Sequence, residues 1–231
     1  MPTRVPRDAF VLLCALPPEA VAAHIGLRRL GGGPSQEAGR IRLTGMGPLR
    51  ARKAAARLAS SLPDGLPVVV VGVGGALVRG FEAGDLVVAS ALGTADAVGG
   101  GDLQVLRAPV ALDERSQGLA ERLRAALSER FASTSSAPFL SAGRTARGSE
   151  REGLGRSGAV ICDTESAWLS RLAERRPFAV VRAIVDTPER ELLSLQTVTG
   201  GLTGLRRLAD AAETIAEVLG GRTPGGGSAG A

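Results

Sequence analysis

Short apolar runs recur along this chain, each bounded by glycine, proline or charge. Val11-Leu-Leu-Cys-Ala-Leu16 reads as a buried strand, and Pro17-Pro18 stops it. A helix can follow over residues 19–25. Gly31-Gly-Gly-Pro34 is a turn, and residues 40–44 alternate polar and apolar, as a half-buried strand does. Gly45-Met-Gly-Pro48 breaks that strand, and the Ala-rich stretch 48–62 suits a helix. Val68-Val-Val-Val71 places four β-branched residues in a row after Pro67. Such a run implies burial on both faces, a property of parallel sheets. Further strands are predicted over 85–90, 138–142, 158–162 and 178–185. Helices are predicted within 112–131 and over 164–175 and 204–219. Residues 93–101 read as a loop, and from Gly220 onward Gly, Ser, Pro and Ala make a flexible tail. Strands alternating with helices argue for a single α/β domain over residues 9–220 with a mostly parallel sheet, followed by the tail 221–231.

Composition removes several function classes. The chain has 231 residues, of which 44% are hydrophobic and 22% charged, close to an ordinary soluble globule. No apolar run approaches the roughly 20 residues needed to span a bilayer. The first apolar run leads straight into Pro17-Pro18-Glu19, which suits a strand rather than a signal peptide. Two cysteines, Cys14 and Cys162, exclude a disulfide framework and a Cys-rich zinc site, and favour a reducing cytosol. His24 is the only histidine, which excludes a multi-histidine metal centre. Net charge is +5, but Lys53 is the only lysine among 28 basic residues, and acids are interspersed with the arginines. With 3% aromatics and no Tyr there is little for bases to stack on, so no nucleic-acid partner is expected.

In parallel sheets, ligands bind beyond the carboxyl ends of the strands. Four predicted ends carry unusual residues: Glu19, Gly72-Val-Gly-Gly75, Asp163-Thr-Glu165-Ser166 and Asp186. Alone, each has a plain explanation. The glycines lack the third glycine of a dinucleotide fingerprint, Leu77 standing there, and suit a tight turn. Equally, missing side chains would let a sugar or phosphate lie against main-chain N–H groups. Asp186 could cap or turn the chain before Thr187-Pro188. Glu19, Asp163 and Glu165 could sit in the first turns of helices, and a capping role is the better reading of Asp163.

Taken together, their order is a pattern. Ala15-Leu-Pro-Pro-Glu19, Thr44-Gly-Met-Gly-Pro48, Val71-Gly-Val-Gly-Gly-Ala-Leu77 with Gly84-Asp-Leu-Val-Val88, and Cys162-Asp-Thr-Glu-Ser166 followed by Pro177-Phe-Ala-Val-Val-Arg-Ala-Ile-Val-Asp186 resemble the nucleoside phosphorylase and nucleosidase superfamily. This is the group of purine nucleoside phosphorylase and methylthioadenosine/adenosylhomocysteine nucleosidase. The likeness spans roughly residues 11–219. It implies a three-layer phosphorylase/hydrolase-like domain with a mixed, mostly parallel central sheet. Residues 147–166, Val185-Asp-Thr-Pro-Glu-Arg-Glu-Leu192 and Thr197-Val-Thr-Gly-Gly201, placed before the last helix, are similar to the hopanoid-biosynthesis-associated subgroup. That likeness implies release of adenine from adenosylhopane.

The resemblance also implies roles. Asp186 would protonate the purine, given a pKa raised by burial. Glu19 would handle the attacking water. Glu165 would accept hydrogen bonds from the ribose hydroxyls. Val73, Thr164, Gly74 and Gly75 would line the substrate site. No cofactor is implied beyond phosphate as a co-substrate, and a homo-oligomer is expected in the cytoplasm, a dimer or a hexamer as in the family, with the homodimer as the starting expectation. Two departures stand out: Thr164 replaces the usual Met before the ribose glutamate, and Val73 stands where the methylthioadenosine enzymes have Ser. The phosphate-clamping arginines of the phosphorylases have no clear match, although Arg28, Arg52 and Arg79 are available, so water is favoured over phosphate. A methylthioadenosine-type nucleosidase and a non-catalytic nucleoside-binding relative are the alternatives. A lipid-linked nucleoside would add a peripheral membrane contact through an apolar mouth, expected at residues 92–98 or on the tail side.

Overall fold

The structure, a computed structural model, describes residues 9–31, 40–189 and 196–221. In chain order the elements are β1 (Val11–Cys14), α1 (Pro17–Arg28), β2 (Ile41–Leu43), α2 (Pro48–Ser61), β3 (Val68–Ala76), β4 (Leu86–Ala97), β5 (Leu103–Ala111), α3 (Glu114–Arg130), β6 (Thr134–Ala142), α4 (Ser149–Gly155), β7 (Ile161–Asp163), α5 (Ser166–Leu169), a 3₁₀ turn (Ser170–Glu174), β8 (Phe178–Asp186) and α6 (Gln196–Leu219). The expected turn after Gly31 and the expected tail after Gly221 lie outside the described residues.

All eight strands join one mixed sheet. Pairings β1–β2, β1–β3, β3–β8, β4–β6 and β6–β7 are parallel. Pairings β3–β7, β4–β5 and β4–β8 are antiparallel. The decisive feature is β3. Its first half pairs with β1, its last residues pair with β7, and β8 runs along its other side. The sheet therefore divides where β3 ends, and that division opens the space in which a site can form.

Side-chain alternation along β3 explains the layers. Val69 and Val71 face a core with Leu12, Cys14, Val181 and buried residues of α1, α3 and α6. Val68 and Val70 face the opposite core, with Leu13, Phe178, Val180 and Ala51, Ala55 and Leu58 of α2. Both faces of the sheet are covered, as the unbroken valine run requires.

The structure revises the predicted elements where apolar periodicity is weak. Residues 93–97 are not loop but the continuation of β4, which forms a hairpin with β5. Gly93 is needed there, because a Cβ would lie 2.5 Å from the Arg107 carbonyl oxygen. Strand β5 was not predicted, since most of its residues face solvent and little apolar alternation marks it. Helix α4 was missed for its brevity. The strand predicted at 158–162 is shorter and displaced to β7. The helix predicted over 164–175 is one α-turn followed by the 3₁₀ turn. Helix α6 begins at Gln196 rather than 204, so Thr197-Val-Thr-Gly-Gly201 lies inside it. Gly200 and Gly204 let α6 press on the end of β8: added Cβ atoms would sit 2.9 Å from Val185 O and 2.4 Å from Val185 Cγ1.

The contact between α1 and α6 is equally close. A Cβ at Gly26 would lie 2.1 Å from Ala209 O and 3.0 Å from Glu213 N. Backbone atoms cannot yield as a side-chain tip does, so the helices must separate. Gly26→Ala is expected to lower unfolding free energy by about 1–3 kcal/mol. Urea denaturation measures it, and an unchanged midpoint would contradict this packing.

Candidate active site

The first candidate side chain is set by the start of α1. Pro17 and Pro18 suit a helix N-terminus, where their missing N–H groups have no intrahelical role. Glu19 follows, and its carboxylate turns back on the chain. Oε2 accepts hydrogen bonds from the amides of Ala15 and Leu16, both at 2.9 Å. Oε1 accepts from the amide of Val73 at 2.9 Å. Glu19 thus ties the exit of β1 to the middle of β3. Gly72 leaves the room this needs, because a Cβ there would lie 2.5 Å from Glu19 Oε1 and 2.1 Å from Arg182 Nη1.

Arg182 is the hub of the next group. It lies in the apolar run of β8 and is wholly buried. Nε and Nη2 contact Asp163 Oδ2 at 3.0 and 2.9 Å, and Nη2 also reaches Glu165 Oε2 at 3.3 Å and Ser166 Oγ at 3.0 Å. Asp163 in turn accepts from Ser141 Oγ at 2.6 Å and from the amides of Glu165 and Ser166 at 3.1 Å each. It therefore supports the turn entering α5, in keeping with a capping role, and also faces the buried guanidinium. Glu165 Oε1 accepts from the Gly47 amide at 3.0 Å and from the Thr164 hydroxyl. Gly47 adopts φ 90°, which a residue with a side chain rarely does, and so turns its N–H toward Glu165.

Burial works against every charge here, and the neighbours decide which charges survive. Burial alone would push Asp163 upward, but the Arg182 guanidinium with Ser141 and Ser166 outweighs it and holds the carboxyl below its ordinary value. For Glu165, burial prevails. Its carboxyl is raised, with the charge of Asp163 adding to the effect and Arg182, Thr164 and Gly47 offsetting part of it. Arg182 keeps its proton more firmly than usual. The carboxylates of Asp163, Glu165 and Glu19 overcome its loss of solvent. Burial pushes the thiols of Cys14 and Cys162 up to about 12, so neither supplies a thiolate near neutral pH.

Asp186 stands at the end of β8. A bulge in the β3–β8 pairing between Gly74 and Gly75 sets Asp186 beside Gly75. A Cβ on Gly75 would lie 2.3 Å from Asp186 Oδ1. The carboxylate forms a buried ion pair with Arg151 of α4, whose Nη1 also donates to the Ala76 carbonyl at 2.8 Å. Burial was the sequence expectation for Asp186; the guanidinium facing it was not foreseen. Gly72 and Gly75 of β3 thus make way for charged side chains.

These residues surround one cavity of about 230 Å³. Glu19, Val73, Gly74, Gly75, Thr164, Glu165 and Asp186, the seven residues singled out from sequence, all line it. Leu16, Met46, Leu77 and Val185 give it apolar walls, and Arg151 was missed. Nothing in the arginine-rich stretch around it marks Arg151 out from Arg144, Arg147 or Arg156. An apolar mouth at 92–98 is not found: Leu92 is buried in the core, Val98 is exposed, and neither lines the cavity. Arg28, Arg52 and Arg79 do not line it either; Arg52 lies over the Trp168 ring at 4.3 Å.

No protein-family model matches this chain, and no curated protein sequence matches it. Solved structures do. A 5'-methylthioadenosine/S-adenosylhomocysteine nucleosidase from Neisseria meningitidis, in complex with methylthio-immucillin-A, superimposes with a TM-score of 0.66 and 19% identity, covering 93% of this chain and 99% of that one. Its Streptococcus pneumoniae counterpart (S. pneumoniae) gives 0.66 and 17%, covering 91% and 99%. Futalosine hydrolase of Helicobacter pylori gives 0.66 and 16%, covering 91% and 96%. The fold is the nucleosidase fold. Among the described residues no helix is long and apolar enough to cross a membrane.

Asp163 provides a test of the charge network. Its lowered value means that the stability it lends is complete above the ordinary aspartate range, about 4, and is lost as pH falls through the folded-state value. Asp163→Asn leaves Arg182 short of its closest counter-ion. It is expected to lower unfolding free energy at pH 7 by about 3–5 kcal/mol and to flatten the acid-side decline. Denaturation at pH 7 and in mild acid measures both, and equal stability of variant and wild type at pH 7 would overturn the assignment.

Proposed function

We propose that this chain cleaves the N-glycosidic bond of a 5'-substituted adenosine, with water attacking ribose C1'. The observation that carries this reading is the convergence of Glu19, Glu165 and Asp186, far apart in sequence, on one cavity where the sheet divides. Breaking the C1'–N9 bond leaves positive charge on the ribose and negative charge on the purine. Asp186 gives a proton to purine N7, so the base departs neutral. Glu19, fixed by three amides, takes a proton from the water as its oxygen bonds to C1', and its charge steadies the oxocarbenium-like centre. Glu165 holds the ribose hydroxyls, with Thr164 and Gly47 fixing the carboxyl from behind.

Water is favoured over phosphate by the character of the wall. Glu19, Asp163, Glu165 and Asp186 all line the cavity, and the one cationic side chain lining it among the described residues, Arg151, is engaged by Asp186. A phosphate dianion would meet more negative than positive charge. The nucleosidase neighbours agree with this preference. For the 5' group, Leu16, Met46, Val73 and Leu77 offer apolar surface, and Met46 with nearby Leu49 remains more than half exposed. That surface suits an apolar substituent such as hopane, which the sequence resemblance implies, and a substrate of that kind would bring the mouth to a bilayer. A methylthio or homocysteinyl group is the second reading, favoured by the methylthioadenosine nucleosidase neighbours.

Incubation with adenosine, methylthioadenosine and adenosylhopane, with and without phosphate, should release free adenine independently of phosphate. Strict phosphate dependence would make the reaction a phosphorolysis. Asp186→Asn should keep the fold and lose about 10²–10⁴-fold in turnover, the usual weight of a general acid.

A further inference from the structure

The proposed reaction assigns Arg151 no task, yet Arg151 is the buried cation nearest its acid. The guanidinium is almost wholly enclosed, lines the cavity, and spends one nitrogen on Asp186 and another on the Ala76 carbonyl. Ala76 directly follows Gly75, over which Asp186 Oδ1 is packed. Arg151 therefore grips both the acid and the strand that carries the acid's seat. A buried cation beside a carboxylate is costly to desolvate, and packing alone would be served as well by an apolar side chain.

We propose that Arg151 is a positioning residue that acts through Asp186, orienting its carboxyl toward the base and stabilising the carboxylate left when the proton has gone. This rests on the reading of Asp186 as the acid. The step balances simply. Asp186 takes a proton from solvent before turnover and passes it to N7. The C1'–N9 electron pair moves into the purine, and the negative charge created on Asp186 is met by Arg151. A guanidinium in contact makes the acid readier to release its proton, at the expense of holding that proton only at lower pH. Among the described residues, the other titratable groups lining the cavity are Cys162 on β7, which is neutral, and Glu19, Asp163 and Glu165, the last two in contact with Arg182. Glu189, three residues beyond Asp186, pairs with Arg79 at 3.5 Å and is half exposed.

The test is the pH dependence of adenine release by wild type, Arg151→Lys, Arg151→Met and Arg151→Met in the Asp186→Asn background. Removing the cation should reduce kcat about 10–100-fold with little change in KM, less than the roughly 10²–10⁴-fold weight of the acid itself. It should also shift the alkaline limb of the profile to higher pH, because Asp186 then keeps its proton longer. Arg151→Lys should return the limb toward the wild-type position. In the Asp186→Asn background, Arg151→Met should change the rate less than about two-fold, as residues acting as one unit are not additive. An unmoved limb in a folded Arg151→Met, or the same fractional loss in both backgrounds, would overturn the proposal and leave Arg151 a structural tie. Wild-type turnover by Asp186→Asn alone would overturn the acid assignment instead. Should Arg151→Met fail to fold, Arg151→Gln, neutral and able to donate to Ala76, carries the same comparison.

Discussion

A guanidinium sealed in the middle of a sheet is the constraint around which the rest of this structure is arranged. Arg182 sits on a strand buried at every position but one, with no solvent to carry its charge. Removing such an ion from water costs several kcal/mol even after relaxation. Its surroundings are accordingly acidic. Asp163 ends β7, Glu165 follows it in the turn before α5, and Glu19 comes from the first turn of α1. Because one cation on β8 must satisfy acids from two other parts of the chain, the exits of β1 and β7 are held to β8. A chain satisfying hydrophobicity alone would have filled this position with leucine or valine.

The glycines of β3 belong to the same arrangement. Gly72 gives space to Arg182 and Glu19, and Gly75 gives space to Asp186. Two buried charge groups meet at this cavity: the acids Asp163 and Glu165 held by Arg182, and the Arg151–Asp186 pair. Between them the lining is largely apolar. Charges enclosed in this way keep their geometry without solvent reorganisation, which is what a reaction separating charge across a C–N bond requires.

Much of this was legible in the chain. Strong apolar runs such as Val68–Val71 and Phe178–Val185 located the central strands, and the acids at their ends located the rim. Elements with weak periodicity were not legible. Strand β5 is largely exposed, α4 has two buried residues, and the start of α6 contains paired glycines that read as a break. The cations were the largest gap. An arginine inside the apolar run of β8 was a visible signal, since charge there demands partners. Arg151 carried no such signal: it is one of four arginines in a polar stretch, and only the fold brings it to Asp186. The apolar mouth expected at residues 92–98 is not there for a related reason, while its other expected place, the tail side, lies outside the described residues. Leu92 and Val98 are apolar in sequence, but the hairpin turns one into the core and the other to solvent away from the cavity.

The most direct measurement is a crystal structure of the protein bound to a non-hydrolysable adenosine analogue carrying an apolar 5' group. The account predicts the base edge at Asp186, the ribose hydroxyls on Glu165, a water beside Glu19, and the 5' group leading out past Met46. An analogue bound elsewhere, or seated with its base at Glu165 and its sugar at Asp186, would contradict it.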